Sequence, residues 1–116
     1  MSENRREFFR VEFTQSIDGE MVRSGGDSMF INIENVSVTG LKFMSSFDLP
    51  IQEKVTCRFN ILECPYLLDG KIIRKVKKPA EFEYGIGFDI DQETSSHLFK
   101  QLNYYVIRQR KGNIMD

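Results

Sequence analysis

Phe82-Glu83-Tyr84-Gly85-Ile86-Gly87-Phe88-Asp89-Ile90 alternates a large apolar side chain with Glu, Gly, Gly and Asp. Successive side chains of a strand point to opposite faces, so this stretch reads as a strand with Phe82, Tyr84, Ile86, Phe88 and Ile90 toward a core. Upstream, Val55, Cys57, Phe59 and Ile61 alternate in the same way with Thr56, Arg58, Asn60 and Leu62. Leu67 to Val76 reads as another strand, with a bulge or bend expected at Asp69-Gly70. Ser28 to Ile33 and Leu41 to Met44 are strand-like, and Gly19 to Val22 reads as a short strand ending at Ser24-Gly25-Gly26-Asp27. Breaks at Gly25-Gly26, Asp48-Leu49-Pro50, Glu63-Cys64-Pro65 and Lys78-Pro79 are spaced as hairpin turns or short loops. About six strands in so small a domain predict a barrel or a sandwich, because a long open sheet leaves unpaired edges.

After Ile90 the period changes. Asp91 fits a helix N-cap with Glu93 in the first turn, and Leu98, Leu102, Tyr105 and Val106 follow at three- and four-residue spacings. Arg108, Arg110 and Lys111 load the far end, where cations suit the helix dipole. The chain therefore closes on an amphipathic helix of roughly twenty residues.

The 116 residues suffice for one hydrophobic core and exclude a multidomain enzyme. Apolar residues at 41% and aromatics at 12% mark a folding chain. Sixteen basic and seventeen acidic residues nearly cancel, so no whole-molecule field draws the chain to nucleic acid or an anionic membrane. No apolar run is long enough to span a bilayer, and the start lacks the apolar centre of a secretory signal, so the cytoplasm is the expected compartment. Cys57, Cys64 and the single His97 are too few and too scattered for a metal site, and the cysteines are expected to be reduced, with Cys57 buried. No nucleophile, base and orienting group come together as an enzyme's would, and no cofactor motif is present.

Two segments carry more specific chemistry. Arg5-Arg6-Glu7-Phe8-Phe9-Arg10 places three guanidinium groups in six residues, each a planar cation whose fork fits phosphate oxygens or the O6/N7 edge of guanine. Asn35-Val36-Ser37-Val38-Thr39-Gly40 offers short polar side chains and a glycine between two strands. Taken singly, the first fits a solvated tail and the second an ordinary polar turn.

In order and together they resemble the PilZ domain, a bacterial receptor module for cyclic di-GMP. The family's Arg-x-x-x-Arg arm stands here as Arg6 to Arg10, and its Asp/Asn-x-Ser-x-x-Gly turn as Asn35 to Gly40. Gly85-Ile86-Gly87-Phe88 is similar to the family's penultimate strand. The resemblance implies a mainly β fold, a six-stranded antiparallel split β-barrel over residues 13–116, with one C-terminal α-helix from about residue 91 and a flexible arm over residues 1–12. It implies a non-enzymatic receptor with cyclic di-GMP as its ligand and no cofactor. Arg6, Arg10, Asn35, Ser37 and Gly40 are the implied ligand-binding residues, with Arg5 as an added cation. The arm is expected to be mobile without ligand and to close over the nucleotide, with Phe8 or Phe9 anchoring it. The expected partner is an unidentified effector protein, with output in motility, biofilm, exopolysaccharide or virulence. No nucleic-acid partner and no membrane insertion are expected, and the chain is expected to be a monomer or weak dimer.

Two other readings differ in class. A PilZ-like barrel that docks to a motility or secretion assembly without binding nucleotide has no use for intact arginines and an intact Asn-x-Ser-x-x-Gly turn. An RNA-binding barrel would use Lys71, Arg74, Lys75, Lys77 and Lys78, but on a strand such charges form a solvated face or guard an edge.

Overall fold

Six antiparallel strands close on themselves in the order β1-β2-β3-β6-β5-β4. The computed structural model describes residues 9–115. They form β1 (Arg10–Arg23), β2 (Ser28–Ser37), β3 (Gly40–Ser45), β4 (Lys54–Ile61), β5 (Cys64–Lys77), β6 (Phe82–Phe88) and α1 (Gln92–Met115). Pairing of β1 with both β2 and β4 completes the ring, so the edge problem posed by the strand count is solved by closure.

Inside, the alternation of β6 is as expected: Tyr84 and Ile86 are buried, against Phe43 of β3 and Ile72 of β5. Phe43 and Tyr84 stack with ring centroids 5.0 Å apart. The buried Tyr84 hydroxyl donates to the Phe47 carbonyl and accepts from the Leu49 amide, both at 2.7 Å, which ties the β3–β4 loop to the barrel. Leu98 and Leu102 of α1 are fully buried in the same core, and Tyr105 packs edge-on against Phe13 at 5.3 Å. Asp91 caps the helix by accepting from the Thr94 amide at 2.8 Å, and hydrogen bonding from the Thr94 side chain and then its amide holds the Asp91 carboxyl below the usual range. His97 Nδ1 meets the Tyr66 hydroxyl at 2.9 Å and Gln101 donates to the Ile61 carbonyl at 3.2 Å, so polar bonds as well as leucines dock α1.

Four details differ from the sequence expectation. First, β1 starts at Arg10, so the last three residues of the expected arm are strand; the polar run Thr14-Gln15-Ser16, where the β1–β2 register also breaks, masks the strand's period. Second, β2 runs on through Asn35 to Ser37, leaving only Val38 and Thr39 as the turn. Third, the irregularity in β5 falls at Ile73; Asp69 and Gly70 pair regularly with Thr56 and Val55. Fourth, the β4–β5 hairpin turns on Leu62-Glu63, with φ of 51° and 70°, while Cys64 and Pro65 already belong to β5. Two consecutive left-handed residues make the tight connection whose twist suits a hairpin.

Both cysteines are free. Burial among apolar neighbours pushes the Cys57 thiol up to about 12, so it packs as a small hydrophobe.

A Cβ at Gly40 would collide with the Ile86 carbonyl oxygen on the neighbouring strand, an atom that cannot swing aside. Gly40→Ala is expected to lower the unfolding free energy by about 1–3 kcal/mol in urea denaturation. Gly25→Ala, where nothing lies within 4 Å, is expected to leave it within about 0.5 kcal/mol of the parent.

Candidate functional site

Arg10 and Asn35, 25 residues apart in sequence, meet on the outside of the barrel. Arg10 Nη1 donates to Asn35 Oδ1 at 2.6 Å, and Asn35 Nδ2 donates to Glu12 Oε2 at 3.1 Å. Register explains the meeting: Arg10 lies opposite Ser37 and Glu12 opposite Asn35, so all four share one face of the β1–β2 pair. Ser37 continues the row to Gly40 across the turn. Its Oγ sits 2.9 Å from Thr39 Oγ1 and accepts from the Thr39 amide at 3.2 Å, holding the turn in shape.

A bulge makes this arrangement available. Along β2, Ile31 and Ile33 point inward; an extra residue at Glu34 then resets the phase, so that Val36 takes the next core position and Asn35 and Ser37 face out. Asn35 and Ser37 are nevertheless only 2% and 0% exposed. They lie at the bottom of a polar layer with Arg10 and Glu12 above Asn35. The missing side chain of Gly40 makes room for β6.

The groove beside this network has a volume of about 470 Å³, with Arg10, Glu12 and Asn35 on one wall and Lys42, Arg74 and Gly85 opposite. The bulge at Ile73 places Arg74 there, directly opposite Gly85. Glu83 anchors the cationic wall: its carboxylate pairs with Arg74 at 3.2 Å, Lys78 at 3.5 Å and Lys42 at 3.9 Å. Three cations around one carboxylate leave this wall with a net positive charge, suited to an anion. The forked donors of Arg10, held by Asn35, line the same groove, an arrangement chemically able to accept a group that carries both acceptor edges and negative charge.

Arg5 and Arg6 lie outside the described residues. Of the other expected site residues, Arg10, Asn35, Ser37 and Gly40 come together. Phe9 packs edge-on against Phe99 of α1 at 5.9 Å, so one of the two arm phenylalanines does anchor to the domain. Sequence reasoning missed Glu12, Lys42 and Glu83. Glu12 stands two residues after Arg10 and Lys42 two after Gly40, which is the period that shares a strand face, but their partners come from other strands. Among the described residues no group of His, Cys, Asp and Glu side chains is placed to hold a metal ion, and no helix is long and apolar enough to cross a membrane.

A family model, PilZ domain, matches residues 4–107. No curated protein matches the sequence. Among solved structures, the PilZ domain of YcgR from Escherichia coli with c-di-GMP superposes with a TM-score of 0.73 at 12% identity, over 97% of this chain and 98% of that one. The Bacillus subtilis inhibitor of motility, MotI/DgrA, gives 0.69 at 14% identity over 92% of this chain. The c-di-GMP complex of MrkH from K. pneumonia gives 0.70 at 12% identity over 94% of this chain. The chain spans about half the length of the last two, 52% and 55%, and at such identities the likeness is one of fold.

Asn35→Ala removes a buried amide that joins Arg10 to Glu12. It is expected to cost about 1–2 kcal/mol of unfolding free energy, measured by urea denaturation.

Proposed function

We propose a receptor function for this chain, which belongs to the PilZ domain family: it binds cyclic di-GMP and passes the signal to a partner protein. The observation that carries the reading is the contact of Arg10 with the buried Asn35 on the wall of an open groove, with Ser37 and Gly40 in the adjoining row. Solved PilZ-fold structures that contain c-di-GMP support it.

The ligand has two guanines, each with O6 and N7 acceptors, and two phosphodiester anions. Arg6 and Arg10 supply forked donors for guanine edges or phosphate. Arg10 uses one of its five N–H groups on Asn35, which aims the remaining four. Asn35 and Ser37 present the polar floor that meets the second guanine edge, Gly40 keeps the turn low beside it, and Arg5 adds a cation. Lys42 and Arg74 offset the ligand's charge from the opposite wall.

In this reading the protein is a cytoplasmic binding module that catalyses nothing and needs no cofactor. Ligand binding draws the arginine arm onto the barrel and so alters the surface offered to the effector. Motility is one fitting output, since a solved relative is named an inhibitor of motility; surface attachment and exopolysaccharide production are others.

Calorimetric titration with cyclic di-GMP is expected to show saturable binding, lost in Arg6→Ala and Arg10→Ala, with GTP silent. No heat from the unaltered chain at high ligand concentration would favour a docking module without nucleotide affinity. Arm closure has its own check: amides of residues 5–10 are expected to gain hydrogen-exchange protection in the complex, and unchanged exchange with binding intact would refute it.

A further inference from the structure

A second, larger groove of about 710 Å³ lies on the other side of Ile73 and contains no residue of the Arg-x-x-x-Arg or Asn-x-Ser-x-x-Gly segments. Ile73 lines both grooves, and its side chain lies over Gly87: a Cβ there would come within 3.2 Å of Ile73 Cδ1. One half-exposed side chain thus separates the two.

Strand register joins what Ile73 divides. A single cross-strand row runs Arg10, Ser37, Gly40, Gly87, Lys71, Lys54, through five successive pairings. Residues in one row share a face, so this is a line across the outside of the barrel with guanidinium at one end, ammonium groups at the other, and two glycines between, the second beneath the Ile73 side chain. Each step is about 4.8 Å, which puts the backbone of Lys71 roughly 10 Å from that of Gly40.

Lys54 and Lys71 stand directly opposite each other, an unfavourable placement for like charges. Neither takes part in any ion pair among the described residues, whereas the neighbouring Arg23 is held in bidentate fashion by Glu53 at 2.9 and 3.0 Å. Asp69, the nearest acidic residue along β5, accepts from Thr56 at 2.8 Å. Asp89 lines the same groove as Asp69, yet neither carboxylate forms an ion pair with Lys54 or Lys71 among the described residues, so the two exposed ammonium groups stand without a direct partner.

We propose that Lys71 and Lys54 are phosphate-binding residues of the same site. The inference rests on the cyclic di-GMP reading. A cyclic dinucleotide carries its two phosphodiesters on opposite sides of the ring; with one side held by Arg10, the ligand lies over Gly40 and reaches past the Ile73 side chain, so that its far phosphodiester meets the lysine pair. The attraction of that anion offsets the repulsion between the two ammonium groups.

The test is calorimetric titration of the full chain with cyclic di-GMP at two salt concentrations. Lys71→Ala is expected to weaken binding about tenfold, the loss of one charge-assisted contact, and the Lys54→Ala/Lys71→Ala double variant to weaken it further and flatten the salt dependence. Arg58→Ala, which removes an outer cation already paired with Glu20 at 3.4 Å, is expected to leave affinity unchanged. Thermal unfolding of the double variant is expected to match or exceed the parent, since a like-charge pair is relieved. Parent affinity and salt dependence in the double variant, with Arg10→Ala still inactive, would overturn the lysine assignment alone. Absence of binding by the unaltered chain would remove the receptor reading and this inference together.

Discussion

Two single-residue insertions in the strand ladder, at Glu34 and Ile73, govern where the chemistry of this barrel can appear. A strand alternates rigidly between core and solvent, so a shift of one residue exchanges its faces. Without the extra residue at Glu34, Asn35 and Ser37 would continue the inward series of Ile31 and Ile33 and bury polar groups in the core. Without the one at Ile73, Arg74 would follow Ile72 inward. With both, Asn35, Lys42, Gly85 and Arg74 fall in one outer row spanning β2, β3, β6 and β5. Bulges near functional sites serve this purpose: they re-aim side chains that regular pairing would misplace.

The rest of the fold holds those rows in place. Closure of β1 onto β4 leaves no edge along which the register can slip, and the stacked Phe43 and Tyr84 fix β3 against β6 directly beneath the groove. Gly40 allows β3 and β6 to approach at the level of the turn, so the glycine that looks like part of a ligand loop is equally a condition of barrel closure. On the outer surface, order comes from charge: Glu83 gathers Lys42, Arg74 and Lys78, and Asn35 links Arg10 to Glu12. These ion pairs are partly exposed and contribute little stability each. Their effect is to keep cations in position around a groove.

Identities of 12–14% with superposing barrels are understandable on these terms. A barrel of this kind needs apolar residues at alternate positions, small ones at close strand contacts and a capped helix over one end, and many sequences meet those needs. Guanidinium and amide groups, by contrast, are not replaceable in their hydrogen bonding by others of similar volume.

By itself the sequence determined the strands, the terminal helix and the presence of two polar motifs. Those are local properties: the alternation of Phe82 to Ile90, the cap at Asp91 and the Arg-x-x-x-Arg spacing are each legible within about ten residues. It also led to the closed antiparallel barrel, through strand count and through the likeness of its motifs to a family. The ends of β1 and β2 and the site of the β5 bulge were not legible, because Gln15, Glu34 and Ile73 interrupt the period and only pairing with a neighbouring strand shows on which side it resumes. The contacts of Arg10 with Asn35 and of Glu83 with Lys42, and the pairing of Lys54 with Lys71, were decided by tertiary structure alone. Each joins residues whose separation along the chain carries no local signal, and register across the closed barrel is the physical reason they meet.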